Sequence, residues 1–174
     1  MHAPKFACGS KTANHSIQLA AHKLYSDFSD LTNMLDIQPI ERQVMQMLLA
    51  GDHPTLKSLR QQFEHSCVTD RNFTGLGFFT SFEVRDDSAR IEPPKRIVIS
   101  DVCADVDGLE FGCGFVLFVD DGLIGTLECH LWGDGALPEA PRYTRLYYVH
   151  QPNPPEITET KQRNMEAVAA MLAR

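Results

Sequence analysis

The stretch from Gly112 to Gly135, GCGFVLFVDDGLIGTLECHLWGDG, constrains the fold more than any other part of the chain. Two apolar runs of strand composition flank Asp120-Asp121-Gly122, and Asp-Gly between such runs is a strong local signal for a β-hairpin. Two registers are open. A two-residue type I′ turn at Asp121-Gly122 puts Cys113, Phe115, Leu117 and Val119 on one face with Ile124, Thr126, Glu128 and His130. A three-residue loop, Asp120 to Gly122, with a left-handed Gly bulge, shifts the pairing by one and joins the same four residues to Leu123, Leu127, Cys129 and Leu131. A one-residue slip exchanges the buried and exposed sets, and the almost wholly apolar match favours the second register. The opposite face then carries Gly114, Val116 and Phe118 with Ile124, Thr126, Glu128, His130 and Trp132. Being half polar, it is either solvated or the wall of a site.

Elsewhere the pattern divides into helical and extended stretches. Residues 1–14 are polar and small and read as a flexible tail. Ile17, Ala20, Ala21, Leu24 and Phe28 recur at helical spacing within 15–28. Pro39 suits a first helical turn, Ile40, Val44, Met47 and Leu48 mark one stripe, and Gly51 supplies a left-handed stop. Asp52 is placed to cap a second helix that starts at Pro54 and shows Leu56, Leu59, Arg60 and Phe63 on one face. After His65 the period falls to two: 67–69, 77–84, 96–106, 113–119, 123–132 and 145–149 read as strands. Residues 160–173 return to helix, with Met165, Val168, Ala169 and Leu172 as the apolar stripe and Thr158 or Thr160 as caps. Helices gathered before strands, without βαβ alternation, predict an α+β fold: N-terminal helices, an antiparallel meander of about five to six strands, and a C-terminal helix, all in one domain over 15–174.

Composition narrows the classes of function. In 174 residues the formal charge is −7, with 16 basic against 23 acidic side chains, which argues against a nucleic-acid backbone as partner. No apolar run is long enough to span a membrane and no secretory signal is apparent, so no membrane partner is expected and the cytoplasm is the expected location. Cys8, Cys67, Cys103, Cys113 and Cys129 are odd in number and widely spaced, which suits reduced, buried thiols.

The segment Phe73-Thr74-Gly75-Leu76-Gly77-Phe78-Phe79-Thr80, the Gly51 to Pro54 helix start and the LFVDDGLIGTLECHLWGDGALP segment from Leu117 to Pro138 together resemble a group of small uncharacterised bacterial proteins. The resemblance covers roughly 39–138 and implies no activity.

Few residues can carry chemistry. Glu128 and His130 are two apart in one strand and so point the same way, as a general base or half a metal site would require. Asp101, Cys103 and Asp105 share one face of the 96–106 strand, with Val98, Val102, Ala104 and Val106 on the other. If that polar face coincides with the Glu128 and His130 face, Asp101, Asp105, Glu128 and His130 could surround a divalent cation. An exposed polar sheet face with acids at hairpin ends is the simpler reading, so no metal is assigned. No paired CxxC-type ligands, dinucleotide fingerprint or nucleophile elbow is present, and no cofactor is expected.

Phe78, Phe82 and Val84 are predicted to face the core, and Phe79 to face away beside Ser81 and Glu83. With Phe79 outward, Trp132 and the loop to Pro138, including Asp134, offer an aromatic and acidic surface. Two functions follow as expectations. The first is a protein-binding or inhibitor-like module using Phe79, Glu128, His130, Trp132 and Asp134. The second is a small metal-dependent hydrolase using the strand carboxylates and the histidine. The sequence fixes neither a catalytic residue nor an oligomeric state.

Overall fold

Proline at the first turn begins both N-terminal helices, and a glycine of positive φ follows the first. Helix α1, Pro39–Leu48, begins with Glu41 reaching back to accept the Gln38 N–H at 2.8 Å. It buries Val44, Met45 and Leu48, so Met45 takes the place in the stripe predicted for Met47, which is only partly buried. Gly51 follows at φ +113°, and the Arg60 guanidinium closes the helix end by donating to the carbonyls of Leu49 and Gly51. Helix α2, Pro54–Glu64, is capped by His53 rather than Asp52: the imidazole Nδ1 accepts the Thr55 N–H at 3.2 Å. Because Pro54 is already the first helical residue, the cap falls on its immediate neighbour. Leu56, Leu59 and Gln62 are its buried residues.

These elements belong to a computed structural model, which describes residues 35–85, 90–92, 96–151 and 156–173, all in the compact unit Leu35–Arg174. The predicted tail at 1–14 and helix at 15–28 lie outside the described residues. Seven strands follow α2: β1 Ser66–Phe73, β2 Gly77–Val84, β3 Ile97–Val106, β4 Cys113–Asp120, β5 Leu123–Leu131, β6 Tyr143–His150 and β7 Thr158–Thr160. Helix α3, Met165–Ala173, ends the chain. Thr158 and Thr160, expected as caps, lie in the short edge strand β7 instead. Asn164 makes the cap, its side-chain oxygen accepting the Ala167 N–H at 3.0 Å.

The fold is α+β, with one antiparallel sheet in the order β1-β2-β5-β4-β3-β6-β7. Strands β3, β4 and β5 form a consecutive meander, whose last strand pairs with β2 and whose first pairs with β6.

Both candidate registers of the central hairpin contribute to the one observed. Asp121 and Gly122 have φ of +51° and +76° and form the two-residue turn, so Asp120 faces Leu123 and Val119 faces Ile124. The register then shifts between Phe118 and Val119, with Gly125 as the extra residue, and Leu117 faces Leu127, Phe115 faces Cys129 and Cys113 faces Leu131. The apolar match holds, but the slip comes from a bulge at Gly125 rather than from a longer loop. Ile124 is therefore core, and Leu123 only half-buried. The Gln62 side chain fixes the tip, accepting the Ile124 N–H at 3.0 Å and donating to the Gly122 carbonyl at 2.9 Å.

A second bulge alters β3. Ile99 faces Leu117 but Val102 faces Phe115, so Ser100 and Asp101 occupy the space of one residue. Ile97 and Ile99 therefore share the core face with Val102, Ala104 and Val106, and Val98 moves to the opposite face, contrary to simple alternation.

One face of the sheet carries α1 and α2, and together they bury Phe115, Leu117, Leu127, Leu56, Leu48 and Met45. The Glu41 carboxylate, with no solvent exposure, is satisfied inside this layer. Arg71 grips it with two bonds of 2.6 and 2.7 Å, and the Thr80 hydroxyl donates at 2.7 Å. A buried acid so fully paired ties α1 to β1 and β2, and losing either partner would strand a charge.

Candidate cleft on the open face of the sheet

Strand pairing places one row of side chains across the second face. Tyr147 pairs with Cys103, Cys103 with Gly114, Gly114 with His130, and His130 with Gly77. The next row runs Val116, Glu128, Phe79, Asn72. Beyond it lies Phe118, Thr126, Ser81, Asp70. Helix α3 contributes residues to a cleft on this face. It packs beside β3, sends Val168 and Leu172 into the core, and presents Ala167, Ala170 and Met171 to the cleft, with Met171 also packed against the core.

Between α3 and the sheet lies a cleft of about 650 Å³. Val98, Cys103, Gly114, Val116, His130 and Trp132 form its sheet side, and Val149, His150 and Ile157 add a wall from the segment around β6 and β7. This mixture of apolar lining and few polar groups, at this size, is the usual make-up of a ligand or side-chain pocket.

Gly114 is the key to its shape. A Cβ there would lie 2.8 Å from two atoms of the His130 imidazole and 3.0 Å from the Trp132 ring, so only glycine lets both rings settle against β4. The rings meet edge to face at 4.9 Å. Burial lowers the His130 pKa, with Glu128 opposing, so the imidazole is held neutral at pH 7 and can donate or accept in the cleft. Burial also pushes the Cys103 thiol up to about 11, and Trp132 opposes it in part. A thiol so protonated is a poor nucleophile, and a strand separates it from His130.

Strand pairing puts Phe79, Glu128 and His130 on this face, but the acids of β3 do not converge on them. Asp101 is clamped by Arg163 at 2.6 and 2.8 Å, both side chains almost fully buried, and Arg163 also donates to the Ala50 carbonyl. Asp105 is held by Arg145 at 2.7 Å, and the same guanidinium reaches Glu159 at 2.7 Å and lies over the Tyr147 ring. Glu128 and His130 remain as neighbours. Among the described residues no group of three or more His, Cys, Asp and Glu side chains is arranged to hold a metal ion.

Phe79 is 36% exposed on the far side of β5 from Trp132 and makes no ring pair among the described residues. Asp134 is exposed. Its loop, glycine-rich in sequence, is pinned at Leu137, which is buried and donates to the Gly75 carbonyl at 2.7 Å.

Sequence reasoning did not find Arg163 or the small side chains of α3. Ala167 and Ala170 lie off the apolar stripe, and no local pattern joins Arg163 to Asp101, 62 residues away.

No helix among the described residues is long and apolar enough to cross a membrane. Comparisons with protein-family models, with curated proteins and with solved structures find no match for this chain.

Proposed function

We propose that this protein is a binding module that receives an apolar side chain of a protein partner in the cleft between α3 and the open sheet face. The cleft itself carries the reading: an apolar, partly open recess with a neutral imidazole and the chain's single tryptophan at its edge. Of the polar groups near it, Asp101 and Asp105 each hold an arginine and Cys103 is kept protonated. A recess of this kind suits the anchor pockets at which protein interfaces concentrate their energy.

The test is selection of peptides from a displayed random library on the wild-type chain, followed by retesting against Ala170→Phe. Ala170 is exposed at the cleft wall, so the larger ring fills the recess without entering the core. Loss of binding by the selected peptides on Ala170→Phe is the expected result. Peptides that bind both chains equally would place recognition elsewhere and defeat the proposal.

A further inference from the structure

The charge around the cleft identifies the chemistry of its occupant. Asp70, Glu83 and Glu128 lie on the open face in β1, β2 and β5, and none is in an ion pair among the described residues. Two arginines of the same face are paired: Arg96, in the cleft lining, with Asp120 at 3.6 Å and the Phe118 ring, and Arg145 with Asp105 and Glu159 at 2.7 Å. Arg85, exposed just beyond the end of β2, offsets one of the three carboxylate charges and leaves the balance negative. The uncompensated charge on the β1-β2-β5 half is thus negative, and it reaches the cleft, since Glu128 pairs with the cleft residue Val116. Phe79, directly opposite Glu128, adds an exposed ring of the kind that takes a cation on its face.

Resting on the binding reading above, we propose that the occupant is a basic protein segment: one bulky apolar side chain enters the cleft while lysines or arginines flanking it lie over Glu128, Phe79, Glu83 and Asp70. Charge complementarity selects this partner over an anionic one. A nucleic acid or an anionic membrane surface would bring its negative charge against these carboxylates.

The probe is a synthetic peptide with a central leucine flanked by lysine-serine repeats, titrated against the full chain with calorimetry and Trp132 fluorescence as readouts. One analogue replaces the lysines with glutamates, and another replaces the leucine with serine. The lysine peptide is expected to bind and to shift Trp132 emission, and the glutamate analogue to bind far more weakly. Glu128→Gln, Glu83→Gln and Asp70→Asn are each expected to weaken binding about threefold, the scale of an exposed ion pair, and added salt to do the same. Glu83 and Asp70 are exposed, so these variants leave the fold intact. Equal binding of the lysine and glutamate peptides, both dependent on leucine and both moving Trp132, would overturn the charge assignment and leave the binding module standing. No binding of any peptide up to about 1 mM, a contact worth only ~4 kcal/mol, would overturn both.

Discussion

The two faces of the sheet are made from alternate residues of the same strands, yet they solve different problems. On the helix-covered face, Phe115 is 1% exposed and Leu117 and Leu127 fully buried, and even the buried carboxylate of Glu41 is paired inside. On the open face, Phe79 and Trp132 are each 36% exposed, Val98 is 37% exposed, and Glu128 has no ion-pair partner among the described residues. The difference teaches that strand periodicity separates a buried face from an exposed one, which under the proposed function separates stability from recognition. Substitutions on one face should cost folding, and substitutions on the other should cost binding.

The largest contrast is between two phenylalanines on opposite faces. Phe115→Ala is expected to cost about 4 kcal/mol in denaturant unfolding, as a large core residue leaving a cavity, whereas Phe79→Ala should cost under about 1 kcal/mol. Comparable losses would mean that the open face is covered after all. Next, Glu41→Leu is expected to cost about 3 kcal/mol, because Arg71 and Thr80 lose a buried acceptor, while the exposed pair at Asp105 should lose under about 1 kcal/mol on Asp105→Asn. Intermediate in size is Gly114→Ala in the cleft, expected to cost about 2 kcal/mol by pushing a methyl group into the His130 and Trp132 rings. Trp132 emission should move to longer wavelength in that variant as the indole lifts into solvent.

The smallest effect concerns pH. Burial holds the His130 imidazole below the ordinary histidine value of 6.5, so its contribution is present above pH 6.5 and is lost as pH falls through the lowered folded value. Stability measured across this window should decline as pH falls in the wild type and decline less in His130→Gln. An unchanged profile would place His130 in bulk solvent and remove it from the cleft wall.

The helix-covered face was largely legible in the sequence, because burial writes itself as periodicity: the Cys113 to Val119 row and the Phe78, Phe82 and Val84 row could be read directly. What stayed hidden were the features that break periodicity. The bulge at Gly125 reconciles a two-residue turn with an apolar register, and the bulge at Ser100-Asp101 moves Val98 to the other face; each inserts a single residue that alternation cannot reveal. The site was legible only in part. Glu128, His130 and Trp132 could be grouped from spacing within one strand. Their surroundings depend on contacts between segments distant in sequence: Arg163 on Asp101, Arg145 on Asp105, and α3 closing the recess. These long-range pairings turned an apparent metal-binding set of acids into two ion pairs.

The most direct test maps binding onto the two faces. Proton–nitrogen NMR spectra of the full chain, recorded while a display-selected peptide is titrated in, should show their largest shifts at Gly114, Val116, Glu128, His130, Trp132 and Ala170, with the amides of α1 and α2 nearly still. Shifts concentrated on α1, α2 or the outer edge of β1, with the cleft residues silent, would contradict the assignment of recognition to the open face.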